Sequence, residues 1–98
     1  MSRRPRSPEL LGVWWSEGDQ AVFSWRDRHL EAQVVGAPER VKPSVFEQEG
    51  PDRYRVAAGR ERGELLEVVR DDSGAVVKLY WATYPFTRRP QLFGPQAP

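Results

Sequence analysis

The sequence predicts an all-β fold, an antiparallel up-and-down meander of about seven to eight strands that is strongly curled or closed as a small barrel. Three observations carry this. Short runs of strand formers recur from Leu10 onward, and no stretch holds a helical period. Between the runs lie "EGD", "DR", "GAPERVK", "GP", "GRER" and "DDSG", clusters of turn residues. Such short links favour antiparallel neighbours, because a parallel pair needs a crossover of about a dozen residues. Within the runs apolar and polar residues alternate, so each strand buries one face and wets the other. A sheet of this many strands has to curl, since flat sheets are rare and open edges invite aggregation.

The first run, "LLGVWWS" (10–16), places Trp14 and Trp15 on opposite faces. One of them therefore lies outside the main core, and the reading takes Trp15 inward and Trp14 outward. In "DQAVFSWR" (19–26), Ala21, Phe23 and Trp25 share the inner side and Gln20, Val22 and Ser24 the outer. In "HLEAQVV" (29–35), Leu30, Ala32 and Val34 point one way and His29, Glu31 and Gln33 the other. After "PSVFEQE" (43–49) comes "DRYRVAA" (52–58), where Tyr54, Val56 and Ala58 oppose Arg53 and Arg55.

"GELLEVVR" (63–70) and "AVVKLYWAT" (75–83) flank "DDSG" as a hairpin. A four-residue loop at 71–74 sets Arg70 across from Ala75, Val68 from Val77, Leu66 from Leu79 and Leu65 from Tyr80. Glu67 then meets Lys78 as a cross-strand charge pair. Both faces carry large apolar groups, which predicts a place near the centre of the sheet. Pro85 cannot donate to a ladder, so "TYPFTRRP" is expected to form a corner that folds Tyr84 and Phe86 back onto the sheet.

Ninety-eight residues allow one small domain, expected over 9–94, with disordered tails at 1–8 and 95–98. Arg3, Arg4 and Arg6 give the first eight residues a charge of +3 with no acid, leaving 12 basic and 14 acidic side chains in the remainder. The acidic body argues against nucleic acid, whose binders pair stacking aromatics with a basic groove. No apolar run approaches the roughly 18 residues that span a bilayer, and "MSRRPRSPEL" has no apolar segment behind its basic start. Cysteine is absent. A cytosolic monomer is the expectation.

Chemistry is sparse. The single imidazole, His29, sits on the wet face, with no second His and no Cys to complete a metal site. Asp71 and Asp72 fall in a turn, where carboxylates cap backbone groups rather than acquire the raised pKa of a general acid. "GRERGE" lacks the strand-to-helix setting of a phosphate loop. Neither an enzyme nor a cofactor or metal is expected.

Residues 49 to 94, with the phrases "GPDRYRV", "GRERGE" and "KLYWATYPFTR", resemble the small C-terminal domain that follows the catalytic domain in actinobacterial serine hydrolases of the β-lactamase and penicillin-binding-protein class. The similarity continues upstream through "LLGVWWSEG", where the G-x-W pattern is also similar to the opening of lipocalin-like barrels. The resemblance implies an accessory β-domain beside a hydrolase of the acyl-transfer type, in cis or in trans. Its catalytic motifs are missing: no S-x-x-K, Y-x-N or K-T-G occurs, so no catalytic residue carries over. Both an excised domain and a free-standing relative stay open.

Two functions follow as expectations. The first is a non-catalytic domain that packs on a hydrolase or modulates access to it; the second is an independent binder of a small apolar ligand at the barrel mouth or in its concave face. Interface cores favour aromatics and Arg, so Trp14 and Tyr84 with Arg88 and Arg89 are the candidate contact residues. They are expected at one seam if the first and last strands become neighbours, with Leu92 and Phe93 as the competing cover. An apolar cavity would favour the binder.

Overall fold

The chain turns back on itself at every link, and each strand pairs with the one before it. The structure, a computed structural model, describes residues 8–89; the tail arginines, Leu92, Phe93 and residues 95–98 lie outside the described residues. A 3-10 turn at Pro8–Leu10 leads into β1 (Gly12–Ser16), β2 (Asp19–Arg26), β3 (His29–Val34), β4 (Ser44–Gly50), β5 (Arg53–Ala58), β6 (Leu65–Arg70), β7 (Val76–Trp81) and β8 (Tyr84–Phe86). They form one antiparallel sheet in sequence order. Next to β8, Thr87 closes the sheet on β1: Trp15 N donates to Thr87 O at 2.7 Å and Thr87 N to Trp15 O at 2.8 Å. The result is a nearly closed eight-stranded up-and-down barrel, as the alternation predicts. No helix among the described residues is long and apolar enough to cross a membrane.

The inner face is filled by aromatics, which bury large areas per residue and so suit short strands. Phe23 and Phe46 stack with centroids 5.7 Å apart, and Trp81 meets both edge-on at 5.9 and 5.3 Å. Phe86 lies 5.8 Å from Trp81 on its other side. Leu30, Tyr54, Val56, Leu66 and Leu79 complete the core, and Trp25 packs partly buried against it.

Five expectations change. The inward tryptophan of β1 is Trp14, fully buried, and Trp15 is only half-buried. The cause is the tight "SEGD" link: it pairs Ser16 with Asp19, so Trp14 falls opposite Ala21, and opposite residues share a face. Ala21 already points inward with Phe23. Leu10 belongs to the 3-10 turn rather than to the first strand, and its side chain is buried at the end of the core. The "TYPFTRRP" corner contains an eighth strand, Tyr84–Phe86, with Pro85 across from Tyr80. Its three residues make it the shortest strand, consistent with a residue that cannot donate to a ladder.

The hairpin register moves by two residues. Asp71 Oδ1 accepts from Ser73 N, Ser73 Oγ and Ala75 N, while Asp71 N donates to Ala75 O. The carboxylate thus organises the whole turn, and the first strand pair becomes Arg70 with Val76. A bulge at Val77 then pairs Val69 with Lys78, Val68 with Leu79 and Glu67 with Tyr80. A two-residue shift preserves the faces, because side chains alternate with period two, so Leu66, Leu79 and Trp81 remain inward. Glu67 instead lies across from Arg53 of β5, 4.0 Å away, and Lys78 sits over the Tyr80 ring at 5.5 Å. The expected central position gives way too: Val69, Val77 and Tyr80 on the outer face are exposed.

Candidate functional site

An up-and-down barrel has two ends, and here they differ in kind. One end carries the Pro8–Leu10 turn, the β2–β3, β4–β5 and β6–β7 links and the segment after β8. The other carries the β1–β2, β3–β4, β5–β6 and β7–β8 links.

Beside the β1–β8 seam the first end is closed over the core by Leu10, Trp14 and Arg88. An open, mainly polar hollow lies between its β2–β3 and β4–β5 links, lined by Trp25, Arg28, His29, Phe46, Gln48 and Tyr54. Trp14 Nε1 donates to Leu10 O at 2.8 Å, tying the ring to the turn that precedes it. Gly12, at φ +102°, turns the chain from there into β1, a conformation that costs a residue with a side chain. The Arg88 guanidinium lies 4.0 Å over the Trp14 ring and donates to three carbonyls, Val13 O at 2.9 Å, Glu9 O at 2.7 Å and Leu11 O at 2.8 Å. Burial holds its pKa below the usual arginine value, yet Nη1 and Nη2 both meet carbonyl acceptors. Arg70 adds an outer brace, donating to Glu9 at 2.9 Å and to Asp52 at 3.0 Å. That hydrogen bond holds the Glu9 carboxyl below its ordinary value.

The second end is a mouth. A cavity of about 200 Å³ opens there, lined by Ser16, Asp19, Val34, Trp81, Tyr84 and Phe86, with Glu17, Arg60, Glu61 and Pro85 around it. Trp81 and Phe86 are the aromatic wall it shares with the core. Ser16 and Asp19 are cross-strand partners at the tip of β1–β2, so the inward side of the sheet turns polar at this level. The β5–β6 loop is held in place by close backbone approach. Gly59, at φ +93°, sits where a Cβ would come 2.7 Å from Ser44 Cα, and Ser44 Oγ, buried, donates to Arg60 O at 3.3 Å.

Trp81 is 3% exposed, and its Nε1 has no hydrogen-bond partner among the described residues. Buried donors are nearly always paired; leaving one unmade costs about 1–3 kcal/mol. The two buried indoles therefore contrast: Trp14 is satisfied within the chain, and Trp81, on the wall of the cavity, is not.

The four residues singled out from the sequence separate. The seam between first and last strands exists, but its register sets Trp15 beside Thr87, which puts Trp14 level with Arg88 and leaves Tyr84 near the β1–β2 turn. Trp14 is fully buried and Tyr84 is 52% exposed, so they do not form one exposed patch. Arg88 spends its donors on the chain's own backbone. Arg89 is exposed, and its carbonyl accepts from Thr87 Oγ1 at 2.8 Å. Tyr84 alone of the four lines the mouth.

Sequence reasoning missed Ser16, Asp19, Arg60 and Glu61 as pocket residues and placed Trp81 only in the core. The available signal was parity: Ser16 and Asp19 continue the inward series of Trp14 and Ala21, and polar residues on that series mark where the core ends.

A family profile described as Domain of unknown function (DUF7586) matches residues 3–88. The chain belongs to that family. No curated protein matches it.

Proposed function

We propose that this member of the DUF7586 family is a non-catalytic binding barrel that holds one small, mainly apolar ligand at its mouth. The observation that carries the reading is the cavity of about 200 Å³ walled by Trp81 and Phe86. Ligand sites are concave and mostly apolar with a few convergent polar groups, and the mouth has that composition. Its size suits a molecule of one ring, since an engineered apolar cavity of about 150 Å³ holds benzene.

The test uses toluene as a neutral probe, with the side-chain signals of Val34, Trp81 and Phe86 followed by NMR. Saturable shifts confined to these residues, abolished by the cavity-filling substitution Val34→Phe, are expected. Binding that survives Val34→Phe unchanged, or no saturable shift, overturns the reading.

The phrases in residues 49–94 favour a second role at the same time, as an accessory domain beside a β-lactamase-like serine hydrolase. A reading frame that runs upstream into S-x-x-K supports the pairing. Hydrolysis of a chromogenic β-lactam by the purified chain, well above blank, would sink the non-catalytic reading.

A further inference from the structure

The mouth does not end at its own rim. An adjoining hollow of about 440 Å³ lies under the β3–β4 link, where Val35, Ala37, Pro38 and Val41 line it. Asp19, Val34 and Arg60 line both spaces, so the two meet along these three residues. We propose that they form one elongated site, whose ligand is an aromatic ring joined to an aliphatic chain through a neutral polar linker such as an amide. The ring sits in the mouth, the chain lies in the adjoining hollow, and the linker crosses at Asp19 and Arg60. This inference rests on the mouth being a ligand site and names the class of molecule it takes.

The adjoining hollow is held in shape by the chain itself. The β3–β4 link, residues 35–43, is the longest between strands. Gly36, at φ +87°, turns it away from β3. Val41 is fixed through its backbone: its N donates to Pro38 O at 2.9 Å and its O accepts from Gln33 Nε2 at 3.4 Å. The link thereby keeps Val35 and Val41 at the surface, 51% and 41% exposed, rather than folding them onto the core. Single exposed valines are ordinary. Here two of them line one concavity that continues an apolar cavity, and concave apolar surface is what a small ligand buries. The junction has a different character. Asp19 and Arg60 carry opposite charges, and neither forms an ion pair among the described residues. A charged linker would attract one and repel the other. An amide offers its carbonyl to the guanidinium and its N–H to the carboxylate, and both bonds are charge-assisted.

Three neutral probes separate chain from linker. N-Butylbenzamide carries ring, amide and chain; N-methylbenzamide lacks the chain; butyl benzoate keeps ring and chain but loses the N–H. Titrations of the whole chain, read by NMR from the methyl signals of Val34, Val35 and Val41, are expected to give the tightest binding to N-butylbenzamide. It should exceed N-methylbenzamide by about tenfold, since its chain is only partly withdrawn from water, and butyl benzoate by about threefold. Val34 should respond to all three probes, Val35 and Val41 only to the two that carry a chain. Val41→Asp, a change at an exposed position, should cut the advantage of the butyl over the methyl amide to about threefold or less. Equal affinity for the two amides, or tighter binding of the butyl amide with Val35 and Val41 unmoved, would overturn the elongated site and leave the mouth standing. Equal affinity for N-butylbenzamide and butyl benzoate would overturn the amide linker. No saturable shift with any probe would overturn both this inference and the binding site it rests on.

Discussion

The two ends of the barrel solve the same problem in opposite ways. Each must terminate an aromatic core where the strands run out, and each places a tryptophan there. At the closed end Trp14 has its donor paired, its face covered by Arg88 and its flank filled by Leu10. At the mouth Trp81 has its donor unpaired and a cavity beside it. A group of residues that satisfies itself is a structural cap. The mouth leaves a buried donor unpaired and space unfilled, so the two ends differ in how completely the chain satisfies its own groups.

The comparison can be broken by substitution, and the largest effect belongs to the closed end. Trp14→Ala removes a fully buried indole and should cost about 3–5 kcal/mol in urea unfolding; a loss under about 1 kcal/mol would mean the cap is dispensable. Arg88→Ala comes next. It uncovers the Trp14 face and strips three carbonyls of a charged donor, a loss of about 2 kcal/mol. Arg88→Lys should recover less than half of that, because an ammonium cannot reproduce the planar fork. The mouth should respond far less: Trp81→Phe gives up ring area but also discards an unsatisfied donor, so its cost should stay near 1 kcal/mol. Trp14→Phe, which loses a made bond, should cost about 1–2 kcal/mol more than that. Equal costs for the two Trp→Phe changes would erase the distinction between the ends.

The smallest effect concerns pH and the outer brace. The Glu9 carboxyl is held below its ordinary value by the hydrogen bond from Arg70. Its contribution is therefore complete above the unfolded value, near pH 4.5, and disappears as pH falls through the lower folded value. The pair is well exposed, so solvent screening limits the gain to about 0.5 kcal/mol. Glu9→Gln should be slightly less stable than the parent at pH 7, and the two should converge between about pH 5 and pH 3. Parallel stability curves over that range would remove Glu9 from the brace.

Much of the frame was readable because alternation is a local property. Faces in β2, β3 and β5 followed from side-chain parity, and the meander followed from link length. Register was harder, since it depends on what a turn does with its side chains. Asp71 bonds Ser73 and Ala75 at once, which moves the first strand pair and admits the Val77 bulge, and no pattern in the strands encodes that. The inversion of Trp14 and Trp15 was recoverable: a two-residue "EG" turn sets Ser16 against Asp19, and the inward series of β2 then selects Trp14. The candidate site was the least legible part. It is assembled from four links distant in sequence, and its sharpest feature is a hydrogen bond that is not made, which has no signature in residue type.

The seam gives the barrel a mechanical polarity. β1 begins and β8 ends at the closed end, and the two are joined by one pair of backbone bonds between Trp15 and Thr87. A load that separates the flanking chain segments therefore peels these bonds in turn instead of shearing them together, and the Arg88 fork is the first element it meets. The described chain enters at Pro8 and leaves at Arg89 on the side away from the mouth. Tension passing through these two points would work on the capped tryptophan while the cavity at the far rim stays open to solution.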